Sequence, residues 1–199
     1  MKYVDVVNAF IKEIADKNYE SIYNNGHANA GVNGPYRFVD TPVRNSGHWL
    51  IITSYLWKIT REERYKELAF HLANYIVDEQ KKTSSGAIEC MTGERFDHLN
   101  GLIGQAWTIE ALVYAYEVFR KKEYLDTAVE IFYSQKFDEK NCLWERVEIT
   151  GENIGFDYTL NHQVWFACAG LMLLGNLNDD TIHKQVYGFL KRLNEQYFD

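Results

Sequence analysis

The chain has 199 residues, of which 46% are hydrophobic and 25% are charged, and its formal net charge is −7. This length predicts one domain, 1–199, with a core that needs neither disulfides nor a structural metal. The acidic balance argues against nucleic acid or an anionic membrane as a partner, because both favour clustered Lys and Arg. Three cysteines without paired or metal-ligand spacing predict free thiols, and an N-terminus without an apolar signal segment predicts a cytoplasmic protein.

Helices of two kinds follow one another along the chain. The N-terminal segment predicts an amphipathic helix whose apolar stripe is formed by Val4, Val7, Phe10, Ile11 and Ile14. Beyond it, three segments are apolar nearly all round and therefore predict inner helices, at 47–59, 104–119 and 164–174. Three others have a single apolar stripe and predict outer helices, at 61–80, 122–134 and 179–196.

The tryptophans show that these helices repeat. Trp49, Trp107 and Trp165 each belong to an inner helix and follow one another at intervals of 58 residues. A repeat of this length, made of an inner helix, an outer helix and a long loop, is typical of stacked αα-hairpins. The sequence therefore predicts an all-α fold, an array of three αα-hairpins preceded by an N-terminal helix.

The connections between the hairpins are long. Loops at 24–46, 81–99 and 135–160 all precede inner helices, so we expect them to gather at one end of the array. The stretches GAIECM (86–91) and CLWERVEI (142–149) have strand-like composition, which predicts small hairpins laid over this end. Long loops inside a compact domain usually carry function, so any chemistry is expected here.

The first loop and the helix start after it are rich in polar side chains: His27, Tyr36, Arg37, Asp40, Arg44, Asn45 and His48. One interpretation is structural, with Asp40 and Asn45 capping turns or the next helix and Arg44 pairing at the surface. The other is that Arg44, Asn45 and His48 contact a ligand.

The other two junctions place a carboxylate close to an imidazole. Asp97 and His98 precede the second inner helix together with Asn100, and Asp157 and His162 precede the third together with Asn161 and Gln163. A carboxylate with an imidazole can serve as a general acid or base, and free amides at a helix start favour hydroxyl-rich or anionic ligands. Helix capping by the same aspartates is the competing interpretation.

Two carboxylates across a groove are what cleavage of a glycosidic bond requires. Asp97 and Asp157 are the predicted pair, and the rival carboxylates are Asp40, Glu89, Glu94 and Glu110. The rings of Trp49, Trp107 and Trp165 either stack on a sugar or pack between hairpins. Since no nucleotide-binding, zinc-protease or serine-hydrolase motif occurs, neither a cofactor nor a metal is expected.

The phrases TPVRNSGHW, DHLNGLIGQAW and FDYTLNHQVWFA, each leading into an inner helix, give the chain a family resemblance. It resembles the α/α-toroid proteins of the six-hairpin glycosidase superfamily, which include unsaturated glucuronyl hydrolases and acylglucosamine 2-epimerases. The resemblance implies that Asp97 and His98, and Asp157 and His162, lie at a sugar-facing end. A closed toroid has six hairpins and this sequence supplies three, so a fragment, a shortened relative and an associating protomer are all open interpretations.

From these observations we expect a carbohydrate-active protein that binds a saccharide at the loop end, with hydrolysis by Asp97 and Asp157. The alternatives are a non-catalytic saccharide-binding or polysaccharide-assembly module and a helical-repeat scaffold for protein interaction. The apolar inner helices also predict a homodimer, most simply one in which residues 161–196 of both copies form the same contact about a twofold axis.

Overall fold

The computed structural model describes residues 3–33, 37–93 and 97–197, and this part of the chain forms seven helices. They are α1 (Tyr3–Asn25), α2 (Pro42–Thr60), α3 (Glu63–Gln80), α4 (Gly101–Phe119), α5 (Lys122–Tyr133), α6 (Leu160–Leu174) and α7 (Asp180–Tyr197). The pairs α2–α3, α4–α5 and α6–α7 are the three predicted hairpins. The all-α fold class is therefore confirmed. Among the described helices, none is long and apolar enough to cross a membrane.

The helices form two layers. The inner helices α2, α4 and α6 lie side by side, each packs against the outer helix that follows it, and α1 covers one end by packing on α2 and α3. The central helix α4 is apolar almost all round because it is covered by α2, α5 and α6, and residues such as Ile109 and Leu112 are fully buried. Each such side chain contributes about 1.5–3 kcal/mol to folding.

The first inner helix begins earlier than the sequence analysis expected. Thr41 is its N-cap, with a side-chain oxygen that accepts a hydrogen bond from the Arg44 amide, and Pro42 occupies the first helical position. As a result Arg44 and Asn45, which fall within the predicted loop, belong with His48 to the first turns of α2. The three repeat tryptophans lie between one and two turns into their helices.

The N-terminal helix covers its end of the array only in part. Ala15 and Ile22 are buried, and Ile11 packs beside Leu56 and Tyr65. The remaining members of the predicted stripe, however, are exposed: Val4, Val7, Phe10 and Ile14. The helix therefore packs on α2 and α3 through only part of its predicted apolar stripe.

In the described ranges of the chain, five short strands lie at the loop end. In the first loop β1 (Val32–Asn33) pairs antiparallel with β2 (Phe38–Val39), which was not predicted. In the third, β3 (Lys136–Asp138), β4 (Leu143–Val147) and β5 (Asn153–Phe156) form an antiparallel sheet in the order β3-β4-β5. The hairpin expected around 142–149 is thus present.

The strand-like stretch 86–91 forms only an isolated bridge between Met91 and Asp40, so a hairpin there was a wrong prediction. The backbone groups of this stretch instead form hydrogen bonds with Gln105 and His98. Ile88 exchanges two hydrogen bonds with the Gln105 side chain, and the Cys90 amide donates to the His98 carbonyl.

Two buried glutamines from the inner helices hold the loops. The Gln105 amide group accepts from the backbone N–H of Ile88 and donates to its carbonyl, both at 2.8 Å. Gln163, 58 residues later, makes the same pair of bonds with the backbone of Trp144, at 3.0 and 2.8 Å. Each glutamine side chain thus bonds to the N–H and the C=O of one loop residue, as a neighbouring β-strand would. Together the two glutamines attach the loop layer to the inner helices.

The three long loops meet at one end of the array, as predicted. The Thr41 amide donates to the Cys90 carbonyl, which joins the first loop to the second. The His98 amide donates to Glu148 Oε1 at 2.8 Å, which joins the second loop to the third. The starts of the inner helices therefore lie beneath one continuous layer of loops.

Candidate functional site

A cavity of about 550 Å³ opens at the start of α4, beneath the loops. Six of the predicted site residues line it: Arg44, Asp97, Asn100, Trp107, Asp157 and His162. The wall also includes Arg146 from β4 and the apolar side chains of Phe38, Met91 and Ile103. Side chains from all three loops and from all three inner helices, with Arg44 in α2, Trp107 in α4 and His162 in α6, thus meet at one cavity.

The two predicted carboxylates are anchored to neighbouring backbone amides. Asp97 Oδ1 accepts from the Gly101 amide at 2.8 Å, and Asp157 Oδ2 accepts from the Leu102 amide at 3.0 Å. Because these amides are consecutive, the two carboxylate oxygens lie within about 10 Å of each other. Capping of α4 by both aspartates is therefore real, and their action as a working pair stays a prediction.

Asp157 is fixed by three donors. In addition to the Leu102 amide, the Thr159 amide donates to Oδ1 at 3.1 Å, and His162 Nδ1 lies 2.8 Å from Oδ2. Burial by itself would raise the pKa of Asp157, but the hydrogen bonds from His162 and the two amides outweigh burial and lower the pKa to about 2. Asp157 is consequently a carboxylate at neutral pH.

Gly101 makes this arrangement possible. Its backbone is left-handed, with φ at +63°, and a Cβ added there would lie 2.5 Å from Asp157 Oδ2 and 2.6 Å from His162 Nδ1. Such contacts are shorter than side chains tolerate, so the approach of the Asp157–His162 pair to the start of α4 requires a glycine.

Arg146 is the site residue that the sequence analysis missed. Its Nη1 lies 2.6 Å from Asp97 Oδ2, and its Nη2 donates to the Phe156 carbonyl at 3.4 Å. Its position follows from strand alternation, because Trp144, Arg146 and Glu148 share the face of the strand segment that points at the helices. The apolar side chain of Trp144 indicates which face of the strand is buried, and Arg146, two residues later, lies on the same face. This pattern could have identified Arg146 from the sequence.

Arg44 forms the opposite wall. Its Nη1 lies 2.5 Å from Asp40 Oδ2, and its guanidinium lies over the Trp107 ring, 5.3 Å from the centroid. The Trp107 ring also contacts the His48 ring, with centroids 5.1 Å apart. Burial, reinforced by the charge of Arg44, lowers the pKa of His48, so this imidazole is neutral at physiological pH.

The remaining predicted site residues lie outside the cavity wall. Asn45 donates to the Asn29 carbonyl and to Asp40, and His98 Nδ1 lies 3.3 Å from Glu148 Oε2. Gln163 is buried, with its amide bonded to backbone, and Asn161 is exposed. Trp49 packs against the core, which is the alternative interpretation of the tryptophans.

Trp165 belongs to an adjoining cavity of about 320 Å³ together with Glu110 and Cys168. Its ring meets that of Trp107 edge to face, with centroids 6.2 Å apart, so these two indoles stand between the two cavities. Burial raises the pKa of Glu110, and the neighbouring Trp165 indole partly offsets that effect. Of the carboxylates in these two cavities, Glu110 is the one whose pKa is shifted toward the protonated form.

The rival carboxylates have different surroundings. Asp40 is buried and paired with Arg44, whereas Glu89 lines a separate cavity of about 480 Å³ between the loops. Glu94 and the loop residue Tyr36 lie outside the described residues. Within the described ranges, His, Cys, Asp and Glu side chains form no group of three or more that could hold a metal ion.

No protein-family model matches the chain. The chain is similar to archaeal glycosylation protein Q of Haloferax volcanii, with 36% identity over 168 residues. The aligned part is 84% of this chain and 45% of that protein, so the chain spans about half the length of this curated relative.

Proposed function

We propose that this chain is a carbohydrate-active protein that binds a saccharide in the cavity at the start of α4. The observation that carries the proposal is the convergence of Arg44, Asp97, Arg146 and Asp157 on one cavity that also has an indole wall. The similarity to a protein named for glycosylation supports a role in carbohydrate processing. The inner and outer helix layers likewise support the proposal that the hairpins are of the glycosidase-like α/α-toroid type.

The chemistry of the cavity wall suits a hydroxyl-rich ligand. Carboxylates accept hydrogen bonds and guanidinium groups donate them, and each sugar hydroxyl can do both. Arg44 is paired with Asp40, Arg146 with Asp97 and Asp157 with His162, so each charged group of the wall already has a partner, which favours a ligand without a strong net charge. The apolar surface of Trp107, Phe38 and Ile103 offers contact to the C–H faces of a sugar ring.

Binding can be tested by titration calorimetry against a panel of neutral and acidic oligosaccharides. We expect Arg146→Gln to weaken the binding of the best ligand about 10-fold to 100-fold, because a charge-assisted hydrogen bond is lost. The matched control is Arg120→Gln, which removes an arginine that contacts Tyr116 at the far end of α4. If no saccharide binds, or if both variants bind equally, the cavity is not a saccharide site.

Hydrolysis by Asp97 and Asp157 is the finer proposal. It is supported by the common anchoring of both carboxylates at the start of α4, since glycosidases hold their carboxyl groups roughly 5–9.5 Å apart. Asp157, with its low pKa, would be the ionised partner, and Asp97 would be the acid. A general acid must carry a proton, so the ion pair between Asp97 and Arg146 would have to open first.

Turnover of a bound oligosaccharide decides between hydrolysis and binding alone. In the hydrolytic case, Asp97→Asn abolishes product formation while the calorimetric affinity stays within a few-fold of wild type. Unchanged turnover in this variant would exclude Asp97 as the acid. A wild-type protein that binds the oligosaccharide without releasing product would instead be a saccharide-binding or assembly module.

A further inference from the structure

The two ends of the helical array carry most of its exposed apolar surface. Among the described residues, nineteen large hydrophobic side chains are exposed, and twelve of them belong to α1, α6 or α7. The central helix α4 contributes none. Apolar surface concentrated at two opposite ends marks contact sites, because soluble monomers rarely expose large contiguous patches.

At the first end, the apolar surface of α1 is wider than the part that α2 and α3 cover. Ile11, Ala15 and Ile22 face α2 and α3. A second, exposed stripe runs beside them, formed by Tyr3, Val6, Val7, Phe10 and Ile14. At i, i+3 and i+4 spacing these residues form one face, which the Lys17–Glu13 ion pair borders. This stripe is named the α1 face.

At the second end, α7 has the same construction. Ile182, Val186 and Phe189 are buried, whereas Tyr187 and Leu190 are exposed on the adjacent sector. The neighbouring inner helix α6 adds three exposed apolar side chains, Leu160, Trp165 and Leu171. These five residues are named the α6–α7 face.

Helices α1 and α7, which carry the two faces, have formal charges of opposite sign. Helix α1 carries four carboxylates and two lysines, so its formal charge is negative. Helix α7 carries three basic residues, Lys184, Lys191 and Arg192, and two acidic ones, so its formal charge is positive. A contact between the α1 face and the α6–α7 face is therefore favoured electrostatically over a contact of either face with itself.

We propose that the α1 face of one chain docks on the α6–α7 face of a second copy. In a pair of chains related by a twofold axis both faces of each copy are then used, and the assembly closes after two subunits. The size of the relative supports two arrays: its 168 aligned residues are 45% of its length, so it has about 370 residues, close to twice this chain. The sequence pattern predicts a contact of one end with its own copy, whereas the exposed apolar face on α1 favours this head-to-tail arrangement instead.

Size-exclusion chromatography with light scattering of the full chain tests the proposal. The wild-type protein should have a mass of about 47 kDa, twice the 23.3 kDa of one chain. Phe10→Asp and Tyr187→Asp each place a charge at the centre of one face, where the wild-type side chains are 63% and 62% exposed. Each variant damages both junctions, so we expect the dissociation constant to rise at least about 100-fold in both.

Val32→Asp is the matched control, because Val32 is 60% exposed and lies in the first loop, away from both faces. The Val32→Asp variant should therefore still have the mass of two chains. Circular dichroism at 222 nm should be the same for all variants, since none of the three side chains is part of the core. As a second pair that keeps the test valid if either aspartate variant misfolds, Phe10→Ser and Tyr187→Ser should weaken association in the same direction.

Mixing the two aspartate variants identifies the geometry. In a mixed pair, one junction has both substitutions and the other has neither, so a two-chain species should reappear that neither variant forms alone. If only one of the variants dissociates, a face meets its own copy and the proposal is wrong. A wild-type mass of 23.3 kDa, a mass that grows with concentration beyond two chains, or a mixture that stays monomeric would each overturn it.

Discussion

Gly101→Ala should be the most damaging small substitution at the candidate site. The alanine would have to adopt a φ near +63°, which costs about 1–2 kcal/mol for a residue with a Cβ. Its Cβ would also displace the Asp157 carboxylate and His162, since it would lie 2.5–2.6 Å from their polar atoms. Losing the charge-assisted bond between the Leu102 amide and Asp157 adds about 1.5–3 kcal/mol.

The expected loss in the free energy of unfolding is therefore about 2.5–5 kcal/mol, measured by urea denaturation at neutral pH. Gly151→Ala is the matched control. Gly151 also has a positive φ, +91°, but no atom lies within 4 Å of the position of a Cβ, so only the backbone cost of about 1–2 kcal/mol applies. Equal losses in the two variants would refute the argument that the close approach of Asp157 and His162 to Gly101 matters.

The other predictions concern single groups. For Asp157, the pKa of about 2 in the folded state lies below the usual 3.8, so this carboxylate stabilises the fold above about pH 4 and the effect is lost as the pH falls toward 2. The difference in unfolding free energy between wild type and Asp157→Asn should therefore shrink by about 2 kcal/mol between pH 6 and pH 2, and a constant difference would contradict it. For Cys90, burial raises the pKa of the thiol to about 12, so mass spectrometry should find it unmodified by iodoacetamide at pH 8 until the protein unfolds. Trp144→Ala should cost about 3–5 kcal/mol in urea denaturation, because this fully buried indole packs among Phe132, Phe166 and Phe189.

The helices and their layers could be predicted from the sequence because the number of buried sides of a helix determines how its apolar residues are distributed. Helix α4 is covered on several sides and is apolar nearly all round, whereas α3 has one buried stripe that begins at Tyr65 and ends near Val77. The 58-residue spacing of Trp49, Trp107 and Trp165 indicated the repeat. Helix ends were predicted less well, because Thr41 and Pro42 start α2 before its apolar pattern begins.

The candidate site could be predicted only in part. Asp97 and Asp157 precede inner helices and His162 lies in the first turn of α6, and their common location follows from the repeat. Arg146 depends on which face of a short strand turns inward, and Gln163 depends on which backbone group of β4 comes within reach of its amide. The contacts of Arg146 and Gln163 each join residues that are far apart in the sequence. The local sequence around either residue therefore does not indicate its partner.

The glutamine contacts at Ile88 and Trp144 also bear on how the loop layer moves. Ile88 lies in a segment without regular secondary structure, yet its amide proton is held by a buried side chain of the central helix. Hydrogen–deuterium exchange at the Ile88 amide should therefore be as slow as exchange in α4 itself, and opening of this loop should require opening of the core. A ligand that enters the cavity would then meet walls already in place, and its binding would lose little conformational entropy to loop ordering.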